Sequence, residues 1–347
     1  MDPPNKSYSL PSGNHEEAAV SQQDEASAPL FDRRSIPVAA YERRWSAPDE
    51  HAIRQLDWPA PEGHPRGSLL FMPGRGDAYE KYLDSLEHWR RQGWQVSAAD
   101  WRGQAGSGRL GRDALVGHVD DFALWVDDLA AFWRDWSREN ARSNSGPPVL
   151  IGHSMGGHLA LRAVAEGALD PAPAALVLSA PMLDVLPERL PVRLKHWVAR
   201  SMAVLGDSRR AAWKSSEKPG QAAAARQLLL THDDARYADE LWWRGQRPEL
   251  VMGPASWGWV AGAMRSIRAL ERPGVLERVR LPVFIVATVA DRLVGTRAIA
   301  RAAARLPDSR VLWFGTESRH EILREIDSVR TRALAGIDAF LDTAVPG

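Results

Sequence analysis

The chain has no cysteine. This absence excludes disulfide bonds, thiolate metal sites and a cysteine nucleophile together, and it agrees with a reducing, cytoplasmic setting. It also lacks a surplus of either charge, because 44 Lys and Arg balance 44 Asp and Glu. No overall field therefore favours nucleic acid or an anionic membrane as a main partner. No run approaches the ~20 uninterrupted apolar residues of a membrane-spanning helix, and residues 1–13 lack the basic start and apolar run of a secretory signal. Tyrosine and phenylalanine are sparse, 5 and 7 against 15 tryptophans. Large rings with one polar edge suit cores, interfaces and apolar pockets alike. No internal repeat recurs at a fixed period.

What remains is the composition of a globular chain long enough for one large domain or two ordinary ones. Residues 1–34 are rich in Pro, Ser, Gln, Asn and acids, with too little apolar surface to offset the entropy of ordering. They read as a disordered tail. Residues 37–56 read as an opening hairpin. Short apolar strands are expected at 68–72, 95–99, 149–151, 174–180, 283–289 and 311–314. Helical periodicity marks 77–92, 122–138, 158–167 and 325–341. Strands alternating with helices indicate a mostly parallel sheet covered on both faces. Residues 183–281 break the rhythm with amphipathic stretches such as 192–205, charged loops and six tryptophans, among them Trp257 and Trp259. An insertion late in an α/β sheet lands beside the carboxyl ends of the strands. The expected organisation is a core of residues 35–182 and 282–347, with 183–281 as a helical cap.

The densest signal is Gly152-His153-Ser154-Met155-Gly156-Gly157, placed between an apolar strand and a helix. Strand, tight turn and helix is the setting of a nucleophile elbow, which lifts a serine hydroxyl above the sheet end. Its close packing leaves almost no room for side chains at Gly152 and Gly156. A serine needs a base, and the base needs an orienting acid. Downstream of Ser154 stand His158, His196, His232 and His320. His158 lies on the helix after the elbow, facing away, and His196 and His232 fall in the insertion. His320 follows the last short strand, where the order Ser, acid, His requires the base. Asp291, just past the strand at 283–289, is the acid expected, with Asp184 and Asp308 as alternatives. Two N–H donors must face the oxyanion. One belongs to Met155 and the other to Arg75, in the loop Pro73-Gly74-Arg75-Gly76. The Arg75 side chain is either solvated or closed over a substrate carbonyl or phosphate.

Longer motifs sharpen the picture: Gly74-Arg75-Gly76 leading to Glu80-Lys81-Tyr82, Asp100-Trp101-Arg102-Gly103-Gln104-Ala105-Gly106, His118-Val119-Asp120-Asp121-Phe122, the elbow, and Ser179-Ala180-Pro181-Met182. In the insertion stand Leu230-Thr231-His232-Asp233, Pro248-Glu249-Leu250 and Trp257-Gly258-Trp259. From about residue 36 onward the chain resembles the lysophospholipase L2 and monoacylglycerol lipase branch of the α/β-hydrolases, also described as serine aminopeptidase S33-like. Two positions depart from that pattern. Pro73 stands where many relatives have histidine, and Ala105 where they often carry glycine.

The resemblance implies an α/β-hydrolase fold and cleavage of an acyl ester by Ser154, His320 and Asp291, with no metal or organic cofactor. The substrate would be a small acyl ester or lipid. Trp257 and Trp259 would touch its acyl chain, with ordinary packing as the alternative for either ring. An amphipathic cap is compatible with peripheral contact at the inner membrane face. Two other readings stay open. An aminopeptidase on the same fold would need an acidic anchor for the substrate amine, for which Glu240 or Asp234 could serve. A non-catalytic binding protein is the other, against which the ordered Ser154, Asp291 and His320 count.

Overall fold

The computed structural model describes residues 31–61, 65–142, 146–213 and 221–346. Eight strands form one sheet: β1 (Tyr41–Ser46), β2 (Ala52–Trp58), β3 (Gly67–Met72), β4 (Trp94–Ala99), β5 (Pro148–His153), β6 (Ala175–Ser179), β7 (Val283–Thr288) and β8 (Ser309–Phe314). They lie in the order β1-β2-β4-β3-β5-β6-β7-β8. The β1–β2 and β2–β4 pairs are antiparallel and all others parallel. The continuous apolar runs become the central strands β3, β6 and β7, buried along their whole length, as a parallel sheet covered on both faces requires. The mixed run becomes the exposed edge strand β1.

Three helices follow the first parallel strands: α1 (Leu83–Arg91), α2 (Ala123–Arg142) and α3 (Met155–Ala165). The β3-α1-β4 crossover moves across the sheet in the opposite direction to β4-α2-β5. Right-handed crossovers therefore place α1 and α2 on opposite faces. The last helix, α9 (Asp327–Ala344), shares the α1 face, where His88 Nε2 meets Asp338 at 2.7 Å. Between β3 and β5 the connections diverge to the two faces. This leaves a crevice at the strand ends, where open α/β sheets place their ligands.

The segment between β6 and β7 contains α4 (Val192–Val204), α5 (Gln221–Leu230), α6 (Asp234–Gln246) and α7 (Trp257–Glu271), with no strand among its described residues. Its helix α7 packs into the core of the sheet. Trp259, Met264 and Ile267 of α7 join the same buried cluster as Phe122, Trp125 and Leu159, and Phe122 meets Trp259 edge to face at 5.4 Å between centroids.

Several boundaries differ from expectation. The helix expected from residue 77 opens instead with a 3₁₀ turn at Tyr79–Tyr82. Helix α2 runs on to Arg142, into what reads as a polar loop. Helix α8 (Thr296–Ala303) is not among the expected helices; it is only 8 residues long, with Ala298, Ile299 and Ala302 as its buried face. The expected tail falls outside the described residues over 1–30. At its end, Arg33 and Arg34 are held by Asp239 at 2.6 and 2.7 Å. Among the described residues no helix is long and apolar enough to cross a membrane.

The tightest point of the fold is Gly156. A Cβ there would lie 2.3 Å from the Met72 carbonyl oxygen and 2.4 Å from that of Pro73, both backbone atoms. Gly156→Ala should therefore cost at least ~1–3 kcal/mol, read as a lowered urea midpoint. Gly245→Ala, in the open on α6, should leave the midpoint unchanged or raise it slightly. Equal midpoints for the two variants would contradict this packing.

Candidate active site

Ser154 occupies the turn between β5 and α3 at φ 52°, ψ −116°, a backbone region costly for a residue with a Cβ. Backbone bonds hold it there. Its N–H donates to the Ser179 carbonyl at 2.9 Å, and its own carbonyl accepts from His158 at 3.0 Å and Met182 at 2.9 Å. The hydroxyl is left pointing out of the sheet end. His320 arrives from the loop after β8, its Nε2 2.9 Å from Ser154 Oγ. Its Nδ1 lies 2.7 Å from Asp291 Oδ2. An ionised carboxylate only accepts, so Nδ1 carries the proton and Nε2 is left to accept from the serine hydroxyl. Asp291 follows β7 and is itself fixed by the N–H groups of Leu293 and Val294 at 2.8 and 3.0 Å.

Burial opposes charging of His320, but the Asp291 carboxylate, with Glu321 and Asp77 behind it, outweighs burial and raises its pKa above the ordinary 6.5. Burial likewise opposes ionisation of Asp291, and the facing His320 outweighs it, so its pKa is lowered. His153, whose ring centroid is 4.9 Å from that of His320, is pushed down to about 4 by burial first and by His320 second. It is neutral near pH 7 and adds no competing positive charge.

The oxyanion loop leaves the end of β3 and faces the elbow. A Cβ built on Gly74 would stand 3.1 Å from that of Ser154, so the N–H of Arg75 follows directly on the contact with Ser154. Met155 opens α3, where the first N–H groups have no intrahelical acceptor. Residues to which the sequence assigned no role shape this loop. Asp77 Oδ2 accepts from the Gly74 N–H at 3.3 Å and the Tyr82 hydroxyl at 2.7 Å. Gln104 accepts from the Gly76 N–H at 2.7 Å, and Trp101 Nε1 donates to the Pro73 carbonyl at 2.8 Å. Proline at position 73 thus loses nothing the loop needs, since its carbonyl is the group used. Ala105 adopts φ 43°, the left-handed region that favours glycine.

Beneath the loop, Lys81 bridges three acids. It pairs with Asp77, with Glu321 at 2.5 Å and with Glu240 of α6 at 3.1 Å. Asp77, His153 and Glu321 converge closely enough to resemble a metal donor set, but the Lys81 ammonium is already the cation between the two carboxylates. Of these side chains, Lys81 and His153 stand in motifs that are legible in sequence. What was missing was a role for them.

Ser154 opens into a cavity of about 620 Å³ whose walls include Met182, Leu186, Leu194, Val198, Trp213 and Met264. Both Trp257 and Trp259 line it, as does the Arg75 side chain. A smaller hollow of about 320 Å³ beside Leu270 and Arg301 does not reach Ser154. The remaining candidates lie elsewhere. Asp184 pairs with Lys195 at 2.5 Å. His158 is buried with Nε2 2.6 Å from Ser266, and His232 sits on Glu325 at 3.0 Å.

A sequence profile described as serine aminopeptidase, S33, matches residues 63–327. The chain belongs to that family. It is an ester hydrolase of the α/β fold. It is similar to lysophospholipase L2 of Escherichia coli (strain K12), with 29% identity over 292 residues, 79% of this chain and 80% of the relative. A probable lysophospholipase L2 of Haemophilus influenzae is 24% identical over 282 residues, 81% and 86% of the two chains. Among solved structures, a soluble variant of monoglyceride lipase from Saccharomyces cerevisiae shares the fold, with TM-score 0.74 and 18% identity over 92% of this chain and all of that one.

The electrostatics predict a pH profile. If neutral His320 is the base, activity falls as pH drops through its raised pKa. Asp291→Asn removes the main interaction that raises it, so the acid limb of kcat/KM for a chromogenic ester should move to lower pH as the rate falls. A limb that stays in place, or moves up, would contradict the pairing.

Proposed function

We propose that the protein hydrolyses the carboxylic ester of a single-chain lipid, lysophospholipid or monoacylglycerol in type, through an acyl-enzyme on Ser154. The observation that carries this reading is a serine hydroxyl, hydrogen-bonded to an acid-supported imidazole, that opens into an apolar cavity with no carboxylate among its described lining residues. Ser154 Oγ attacks the ester carbonyl while His320 Nε2 takes its proton. The new oxyanion is received by the N–H groups of Arg75 and Met155, each such donor lowering the barrier by ~2.7–4 kcal/mol. Asp291 holds the imidazole and stabilises the imidazolium. His320 then passes the proton to the departing alcohol oxygen, and a water deprotonated by His320 releases the fatty acid. Each acyl CH₂ buried along the cavity contributes ~0.8 kcal/mol, so the walls reward a long chain. In this reading residues 183–281 act as the cap, with Trp257 and Trp259 against the acyl chain.

The aminopeptidase reading finds less support. Glu240 is buried and already ringed by Lys81, Arg226, Arg244 and Arg324, and Asp234 is engaged by Gln227 at 2.6 Å. Neither lines the cavity, and Arg75, which does, would repel a substrate ammonium. On α4 the cavity-lining Leu194 and Val198 are also part exposed, and Trp197 beside them in the chain is exposed. An aromatic and aliphatic face of this kind suits peripheral contact with a lipid surface.

Ser154→Ala should cut turnover of a short-chain acyl ester by about 10⁴-fold or more while the thermal unfolding curve is kept. Retained turnover would remove Ser154 from the mechanism. Asp291→Asn should lower kcat by about 10⁴ and Asp184→Asn only slightly; the reverse order would make Asp184 the acid.

A further inference from the structure

Arg75 differs from the other arginines that fold into this molecule. Arg54, Arg102, Arg236 and Arg324 are each met by carboxylates. Arg109 is saturated by the backbone carbonyls of Ala105, Gly108, Ala114, Glu249 and Val251. Among the described residues the Arg75 guanidinium makes one hydrogen bond, from Nη2 to the Gly253 carbonyl at 2.8 Å. Its Nε is buried without a partner. Among the described residues no carboxylate pairs with it. Among the described residues its charge is met by ring faces, Trp259 at 5.3 Å and Trp213 at 5.7 Å from the guanidinium carbon, which compensate desolvation only in part. Burial first, and the like charge of Arg226 second, push its pKa down to about 10, so it remains charged at neutral pH.

This incompletely satisfied cation lines the same cavity as Ser154. The other cation in that wall, Lys195, is already neutralised by Asp184. A planar guanidinium with spare donors is the side chain best matched to a phosphate or carboxylate. Its position is tied to the reaction, because the same residue carries an N–H assigned to the oxyanion. In a 1-acyl glycerophospholipid as many bonds separate the ester oxygen from phosphorus as separate Cα from Cζ in arginine. An ester held at the Arg75 N–H therefore carries its phosphate within reach of the Arg75 side chain. A monoacylglycerol has no group for it.

We propose that the Arg75 guanidinium is a phosphate subsite that makes lysophospholipids, rather than neutral monoacylglycerols, the preferred substrates. The proposal rests on the ester-hydrolase reading of Ser154 and extends it to the headgroup.

The test compares octanoyl lysophosphatidylethanolamine with octanoyl monoacylglycerol, both below their micellar concentrations. The readout is the ratio of their kcat/KM values, in which any loss common to both substrates cancels. The ratio should favour the lysophospholipid in the wild type and fall about 10- to 100-fold in Arg75→Gln, the worth of a charge-assisted hydrogen bond. It should fall less in Arg75→Lys, which keeps the charge without the fork. A second measurement needs no variant: the O-methyl phosphotriester of the same lysophospholipid, which lacks the negative charge, should lose the wild-type preference. An unchanged ratio in Arg75→Gln, or a triester hydrolysed as well as its parent, overturns the subsite and leaves the ester reading intact. So does a wild type that favours the monoacylglycerol. Hydrolysis of neither lipid by the wild type overturns both. Inorganic phosphate is the remaining control. Submillimolar inhibition of monoacylglycerol turnover in the wild type, lost in Arg75→Gln, would make the free ion the ligand and overturn the headgroup assignment.

Discussion

The contact between the elbow and the end of β3 is the constraint on which the rest of this structure depends. The backbone at Gly156 lies so close to the carbonyls of Met72 and Pro73 that one added carbon would overlap both. That approach sets the distance between the turn bearing Ser154 and the loop bearing Arg75. It is possible because β3 and β5 are neighbours whose connections leave to opposite faces, opening a crevice where two loops meet. The approach of Ser154 to the Arg75 loop is thus set by sheet topology and backbone packing.

A second layer holds the approach in register with the base. Lys81 ties Asp77 under the oxyanion loop, Glu321 beside His320, and Glu240 on α6. Arg324 closes the cluster by pairing with Glu321 and Glu240. Removing one member of such a buried array strands the others, at a typical cost of ~3–5 kcal/mol. Two of these acids, Glu321 and Asp77, also help Asp291 keep the His320 pKa above its ordinary value. One network therefore links loop position, base strength and the inserted helices.

Much of this was legible in the sequence, for identifiable reasons. The central strands are short, fully apolar runs, and the elbow glycines are required by contacts that leave no room for a Cβ. The helix at 296–303 was not legible, because it is only 8 residues long, about two turns, with three small or medium residues on its buried face. The roles of Asp77, Lys81 and Gln104 were not legible either. A charged residue in a motif looks the same whether it is solvated or buried, and only the fold shows that the Lys81 ammonium lies between three carboxylates. Arg75 shows the limit most plainly: the sequence left its side chain open, and its meaning comes from which partners the fold does not supply.

The account stands on Ser154 being the group that carries the acyl chain. Treating the protein with a fluorophosphonate and mapping the modified peptide by mass spectrometry tests this most directly. The account predicts a single stoichiometric adduct on Ser154, formed far more slowly in His320→Ala. An adduct on another residue, or ester turnover that survives full modification of Ser154, would contradict it.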